Sequence, residues 1–397
     1  MTDRRLVYCA GFLRGLAAGL VSVLAAVYLA KRGFPADEIG YVLAAGMVGV
    51  FAGTVYGTYW ADRIGRRASM TALALLAAGG GLALVLAPGL PALLAAAFFG
   101  MLNTQGADRG AAQALEQAIL PATAEGAERT RVFAWYNVLQ DIGGALGAAA
   151  AALPQLLRDG LAVPDVQAYG AAMLFYAGLL AVAALLYARL SPRAEPEHAG
   201  KVELSSHTRG PIRNFALLSM LDSFGGGFIG ASLIAYFFYQ QFGVSEGELA
   251  MLFVAGRTMT VLSHFGAAWL AARIGLVNTM VFTHIPSSLL LLTIPFTGSF
   301  ALAAFLFILR EGLSEMDVPT RQSYLMAIVR PEERAYAAGI SQLARAAGRT
   351  LAPGIAGVAM AQAALWVPLA AGASLKIVYD LLMWRAFRNI KPPEERG

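Results

Sequence analysis

Sixteen ionisable residues stand inside stretches otherwise apolar enough to cross a lipid bilayer, and these are the residues that could do chemistry. Eight are basic: Arg14, Arg109, Arg257, Arg310, Arg321, Arg345, Arg349 and Lys376. Eight are acidic: Asp108, Glu116, Asp141, Asp222, Glu311, Glu315, Asp317 and Asp380. A charge at the centre of a membrane helix costs about 2.5–3.5 kcal/mol unless it is paired or hydrated. Such residues must therefore line a polar interior, and their equal numbers imply extensive pairing. Glu116, Asp141, Arg321, Arg345 and Lys376 fall near predicted helix ends, where long side chains reach the interface, and carry less weight.

Two kinds of chemistry suit this set. A carboxylate that alternates between charged and neutral forms can carry a proton, and burial beside a movable arginine tunes it. The candidates are Asp108, Asp222, Glu311 and Asp317. A guanidinium inside the membrane can hold a polar or anionic solute. Here the candidates are Arg14, Arg257 and Arg310, with Asn103 and Gln105 as neutral hydrogen-bonding partners. For any single acid the plainer reading is that it only neutralises an arginine. Arg257 has no charged counterpart at the matching repeat position, Met47, which favours a specific task such as holding an anion, but pairing with an acid of span seven or ten is the slightly better account of it. His264, seven residues on, shares the face of Arg257 and could carry protons, though a lone histidine is more often just hydrogen-bonded. Arg14 and Asp222 occupy matching places in Phe12-Leu-Arg-Gly15 and Met220-Leu-Asp-Ser223, so a bond between them that opens and closes, or a permanent pair, is expected.

Other chemistries find no support. There is no His-Glu-x-x-His spacing and no nucleophile beside a base, so neither a metal site nor an enzyme is expected, and no cofactor is called for. The single cysteine, Cys9, allows no internal disulfide. The net charge of +5 is spread over many loops rather than gathered on one face, which argues against nucleic acid.

The elements that position these charges are long and apolar. Of 397 residues, 58% are hydrophobic and 14% charged, against about 25% charged in soluble domains. Apolar segments recur at about Leu6–Ala30, Ile39–Trp60, Ala68–Ala87, Leu93–Ile119, Phe133–Leu157, Tyr169–Leu190, Phe215–Tyr239, Leu249–Ala271, Val277–Phe296, Phe300–Ile328, Tyr336–Ala361 and Leu365–Trp384. Each is long enough to cross a hydrocarbon core of about 30 Å as a helix. The reading is an all-α integral membrane protein of twelve spans. With both termini inside, inner loops and tails hold nineteen lysines and arginines and outer loops three, Lys31, Arg32 and Arg158. That asymmetry predicts cytoplasmic termini. Gly11, Gly15 and Gly19 predict close helix packing on span one, and Trp60 and Tyr236-Phe-Phe-Tyr239 read as interfacial anchors.

The two halves resemble each other. Ala30-Lys-Arg-Gly33 aligns with Gln240-Gln-Phe-Gly243, and Ala61-Asp-Arg-Ile-Gly65 aligns with Ala271-Ala-Arg-Ile-Gly275, both at a separation of 210 residues. Asp108 aligns with Asp317 at 209. The predicted organisation is an N-terminal six-helix bundle over 1–190, a cytoplasmic linker over 191–212 and a C-terminal six-helix bundle over 213–397. Such repeats are expected of carriers whose site lies between two pseudosymmetric bundles.

The loop after span two reads Gly57-Thr-Tyr-Trp-Ala-Asp62-Arg63-Ile-Gly65-Arg66-Arg67. It resembles the signature Gly-x-x-x-Asp-Arg-x-Gly-Arg-Arg/Lys of the major facilitator superfamily, with the opening glycine one place early. The resemblance implies a gating role for Asp62, Arg63, Arg66 and Arg67. It also implies a secondary transporter that works by rocking two bundles about a central site. A relaxed form of the family's antiporter motif occurs in span eleven, Gly348-Arg-Thr-Leu-Ala352-Pro353-Gly354-Ile-Ala-Gly357. The leading expectation is proton-coupled export of a small organic molecule by a monomer in a bacterial inner membrane, and the alternative is a carrier of an organic or inorganic anion.

Overall fold

The computed structural model describes residues 2–106, 110–123, 128–195, 206–329 and 333–388. Regular structure there is helical throughout: α1 (Asp3–Lys31), α2 (Ala36–Tyr59), α3 (Ala61–Ile64), α4 (Arg66–Leu86), α5 (Leu90–Phe99), α6 (Ala111–Ile119), α7 (Glu128–Ala150), α8 (Leu153–Leu161) and α9 (Asp165–Tyr187) in the first half of the sequence. The second half has α10 (Ser206–Phe228), α11 (Ala231–Phe242), α12 (Glu246–Ile274), α13 (Leu276–Thr293), α14 (Phe300–Ser314), α15 (Asp317–Ile328), α16 (Arg334–Gly348), α17 (Ala352–Gln362) and α18 (Val367–Phe387). They build the expected twelve-span, all-α membrane fold. Eight segments among the described residues are long and apolar enough by themselves to cross a membrane.

Among the described residues spans four, seven, ten and eleven are divided, and the predicted end of span five falls in a separate helix, α8, none of which the apolar pattern showed. Span four is α5 and α6, interrupted where Met101 takes φ 49° and Gly106 φ 90°. Span seven is α10 and α11, parted at Ile229 and Gly230. Span ten is α14 and α15, parted at Glu315 and Met316. Span eleven is α16 and α17, with Pro353 in the first turn of α17, where a missing N–H costs nothing. Backbone freed in this way is tolerated at membrane depth where it is buried in protein.

The repeat is visible in the backbone. Helices α2 and α12, α4 and α13, and α5 and α14 each begin 210 residues apart. Gly33 and Gly243 turn with φ 88° and 64°, and Gly65 and Gly275 with φ 113° and 85°. Only glycine adopts these angles without strain.

Two compact units form. One holds Met1–Ala199, Gly230–Phe253 and Pro353–Gln362, and the other holds Gly200–Ile229, Val254–Ala352 and Ala363–Gly397. In the first, α1 lies against α7 so closely that a methyl on Gly15 would stand 2.6 Å from the Gln140 carbonyl oxygen, and Gly11 and Gly19 are similarly confined. The close packing predicted from that glycine spacing is what they do. Around this seam sits a core of Leu6, Val7, Met70, Leu115, Tyr136 and Tyr187. The second unit's core gathers Phe215, Met280, Tyr324, Tyr379, Met383 and Phe387. Leu86, Phe99, Leu185, Phe282 and Phe305 are exposed, as lipid-facing positions require. Trp60 is exposed too, but Tyr236, Phe237 and Phe238 are buried, so they are core residues of the first unit and not interfacial anchors.

Candidate functional site

In the first unit the chemistry centres on Glu116, which has no exposed surface. It was discounted as a helix-end residue, but α6 is a short inner helix and turns the carboxylate into the bundle. Arg14 of α1 meets its Oε2 at 2.6 Å. Tyr136 of α7 donates to the same oxygen and Tyr187 of α9 to Oε1, both at 2.6 Å. One carboxylate thus ties four helices. Arg14 also lines a cavity of about 650 Å³, counted with its open mouth. Asn103, Met101, Tyr176, Val21 and Val50 line the same space. Asn103 accepts a hydrogen bond from the Gln105 backbone N–H at 3.2 Å, while Gln105 lies against Gly230 outside that lining. Asp108 lies outside the described residues.

The second unit holds a larger network around Asp222, which α10 buries to 3% exposure. Lys376 of α18 reaches Oδ1 at 2.8 Å. Arg345 of α16 and Arg321 of α15 reach Oδ2 at 3.0 and 3.3 Å. Arg321 is shared with Asp317 one turn earlier, at 2.5 Å. Behind Lys376, its Nζ stands 3.2 Å from Nε2 of His284 on α13, whose Nδ1 faces Asp380 at 2.9 Å. Asp222 and Asp317 are therefore brought together as two members of one site. The expected bond between Arg14 and Asp222 gives way to separate commitments, Arg14 to Glu116 and Asp222 to three cations of its own unit. Arg321, Arg345 and Lys376, discounted as interfacial, are the cations of this cluster. His284 was missed altogether. Its signal was a histidine beside Pro286 within an apolar helix.

The remaining candidates separate from these clusters. Arg310 and Glu311 pair with each other, and Thr260 of α12 donates to Glu311 at 3.5 Å. Arg257, one residue from the Gly256 that packs on Glu311, is half-buried, and His264 is exposed and so unsuited to a buried relay.

At the loop after α2, Asp62 binds Arg66 Nε at 2.7 Å. Glu195 accepts from the Arg66 and Arg67 backbone N–H groups at 2.6 and 3.2 Å. A carboxylate at a helix N-terminus satisfies orphan donors and complements the dipole. Glu195 thus clasps α4 from the stretch after span six, a partner that the signature itself did not point to.

At the opposite end of the first unit, Arg158 of α8 forks onto Glu246 at 2.6 and 3.1 Å and onto Asp165 at 2.7 Å. Lys31 joins Asp165 at 2.8 Å, and Tyr169 donates to Glu246. The hydrogen bond to Glu246, foremost, raises the Arg158 pKa further above its ordinary value, so this group stays charged. Nearby, Gly40 of α2 and Gly357 of α17 meet backbone to backbone, and Ser232 Oγ donates to the Ser22 carbonyl at 2.7 Å.

A twelve-span bundle with charges buried in its interior defines a multi-pass membrane carrier. The chain matches the Major Facilitator Superfamily over residues 7–214. It is 24% identical to the uncharacterized membrane protein YJR124C of Saccharomyces cerevisiae, over 98% of this chain and 94% of that one. Its fold is similar to a bacterial homologue of the human lysosomal transporter Spinster, with TM-score 0.74, 16% identity and 97% and 96% of the two chains covered. It is also similar to the nucleoside transporter NupG, with TM-score 0.76, 14% identity and 97% and 100% covered. A third similar fold is a D-xylose-proton symporter, with TM-score 0.74, 14% identity and 96% of each chain covered. The chain belongs to the major facilitator superfamily, and it is a membrane transporter rather than an enzyme.

Proposed function

We propose that this transporter moves a small organic solute by alternating access, coupled to protons, with export as the direction. The observation that carries the reading is the Asp222 cluster. It is a buried carboxylate held by three cations that come from three different helices. A proton taken up within this network would upset the balance of charge around Asp222, so one proton would loosen α10, α15, α16 and α18 together. Asp317 shares Arg321 and belongs to the same response. Glu311 and Asp108 are secondary candidates. The repeat halves 1–190 and 213–397, joined by 191–212, are the bodies that rock, and the Arg158 latch lies at the end that the basic-residue count assigns to the outside. Asp62, Arg63, Arg66 and Arg67 act at the opposite end, with Glu195 as their clasp. Termini in the cytoplasm, a bacterial inner membrane and a monomer complete the reading.

The cavity beside Arg14 and Asn103 is the place for solute, with Gln105 at its margin. A second reading, an anion carrier, keeps one specific support: Arg14 opens on that cavity. Against it, Glu116 already neutralises Arg14 and Glu311 pairs with Arg310. A human organic anion transporter, MFSD10, has a similar fold at 18% identity and TM-score 0.60. Solute-induced pH change in proteoliposomes, scanned over organic cations, neutral compounds and organic anions, tests both readings. A response to cations or neutral compounds supports the first, a response to anions alone supports the second, and silence across solutes that bind contradicts proton coupling.

A further inference from the structure

We propose that His284 is the residue on which the coupling proton lands, and that Lys376 is the charge it displaces. The inference rests on the proton-coupled reading and gives it an atom. A carboxylate only accepts and an ammonium only donates. Asp380 lies 2.9 and 3.1 Å from His284 Nδ1, so Nδ1 carries the hydrogen. Lys376 Nζ lies 3.2 Å from Nε2, so Nε2 offers its lone pair. The partners fix a neutral imidazole of one tautomer.

Charge balance makes the site special. Asp222, Asp317 and Asp380 match Arg321, Arg345 and Lys376 when His284 is neutral. Asp222 and Asp317 are held by opposite charges and Asp380 by the imidazole Nδ1–H, whereas Nε2 faces the Lys376 ammonium, so a proton there displaces a like charge and breaks no ion pair. A proton added to Nε2 turns an acceptor into a donor facing a second donor. Lys376 must then leave the ring, keeping its own proton and its bond to Asp222 Oδ1, while Asp380 holds the imidazolium. Lys376 and Asp380 are four residues apart on α18, and His284 is wedged between them. Displacing one and tightening the other turns α18 against α10 and α13.

The surroundings fit. From α18, Lys376, Asp380 and the edge-on ring of Tyr379 face His284. Asp222 of α10 stands behind Lys376, backed by Arg345 of α16, and α15 contributes Arg321 with Asp317. On α14, Arg310 pairs with Glu311, which also accepts from Thr260 of α12. Ser219 and Ser223 flank Asp222 on α10, and Ser288 follows His284 by one turn. All three are buried, and their hydroxyls have no partner within the protein among the described residues. Buried hydroxyls with unspent hydrogen-bonding capacity are the kind of lining along which water and protons travel.

The test uses full-length protein labelled with 15N-histidine in detergent, with the His284 resonances assigned by their loss in His284→Gln. The expected spectrum above neutral pH shows a hydrogen on Nδ1 and none on Nε2. In Lys376→Met, His284 should bind its proton at least tenfold more tightly, because an adjacent positive charge is gone. In Asp380→Asn it should bind at least tenfold more weakly. A hydrogen on Nε2, or proton affinity unchanged in both variants, overturns the proposal. In proteoliposomes, His284→Gln should lose solute-driven proton movement and keep solute counterflow. Wild-type proton movement persisting in His284→Gln also overturns it. If wild-type protein moves no protons with solute, the coupled reading fails, and the resonance measurement still decides whether His284 is the proton site.

Discussion

Arg158 and Glu246 face each other as a fork on a carboxylate, two hydrogen bonds at 2.6 and 3.1 Å between residues 88 positions apart. Glu246 is the first residue of α12 and is 3% exposed, so it relies on Arg158 and Tyr169 to stay charged. The pair joins α8 to the start of α12. Removing Arg158 or Glu246 should lower thermal stability in detergent. A double-mutant cycle should give a coupling of about 1–3 kcal/mol, toward the modest end because Arg158 keeps contact with solvent. Simple additivity would show that the pair is an incidental contact.

The carboxylate of Glu116 holds Arg14, Tyr136 and Tyr187 together. Glu116→Gln removes the carboxylate that Arg14 pairs with inside the bundle and should cost about 3–5 kcal/mol of stability. Removing both charges together, as in Arg14→Met with Glu116→Leu, should recover most of that loss. If the recovered protein still transports, Arg14 is a structural cation. If it folds and fails to bind solute, Arg14 is a ligand within the cavity.

At the signature loop, Glu195→Ala removes the acceptor of two backbone N–H groups at the start of α4. The loss should be about 1–2 kcal/mol, the usual weight of a helix cap. Asp62→Asn should cost less, because that pair is more exposed to solvent. Melting curves of the two single variants rank them, and equal effects would contradict the assignment of Glu195 as the main clasp.

Gly40 and Gly357 bring α2 and α17 together with no room for a side chain, since a methyl on either would stand 2.7 Å from the other's Cα. Gly357→Val should therefore weaken the closed state of this end and raise the accessibility of a reporter cysteine placed at Ser245, in a background with Cys9 removed. Unchanged accessibility would mean that the contact is not part of the closure.

Much of the fold was legible in the sequence because its signals are strong and local. Runs of apolar residues fixed the spans, and the paired glycines at 33 and 243, and at 65 and 275, carried the repeat into the backbone geometry. The breaks in spans four, seven, ten and eleven were not legible, since helix interruption at membrane depth depends on which neighbours satisfy the freed groups. The site was half legible. Asp222 and Asp317 stood out as charges in apolar sequence. Their cations and Glu116 did not, because proximity to a predicted helix end placed Glu116, Arg321, Arg345 and Lys376 at the interface, when tertiary packing buries the first three and half-buries Lys376. His284 and Glu195 carried no periodic signal, and their roles come from residues about ninety to one hundred and thirty positions away.

The central claim is that a buried carboxylate in the second unit couples proton movement to solute movement. The most direct test compares wild type with Asp222→Asn in proteoliposomes, reading solute-driven pH change and solute counterflow in the same vesicles. The account predicts that wild type moves protons with solute, and that Asp222→Asn loses the pH change but keeps counterflow. Proton movement of wild-type size in Asp222→Asn, with counterflow intact, would contradict it.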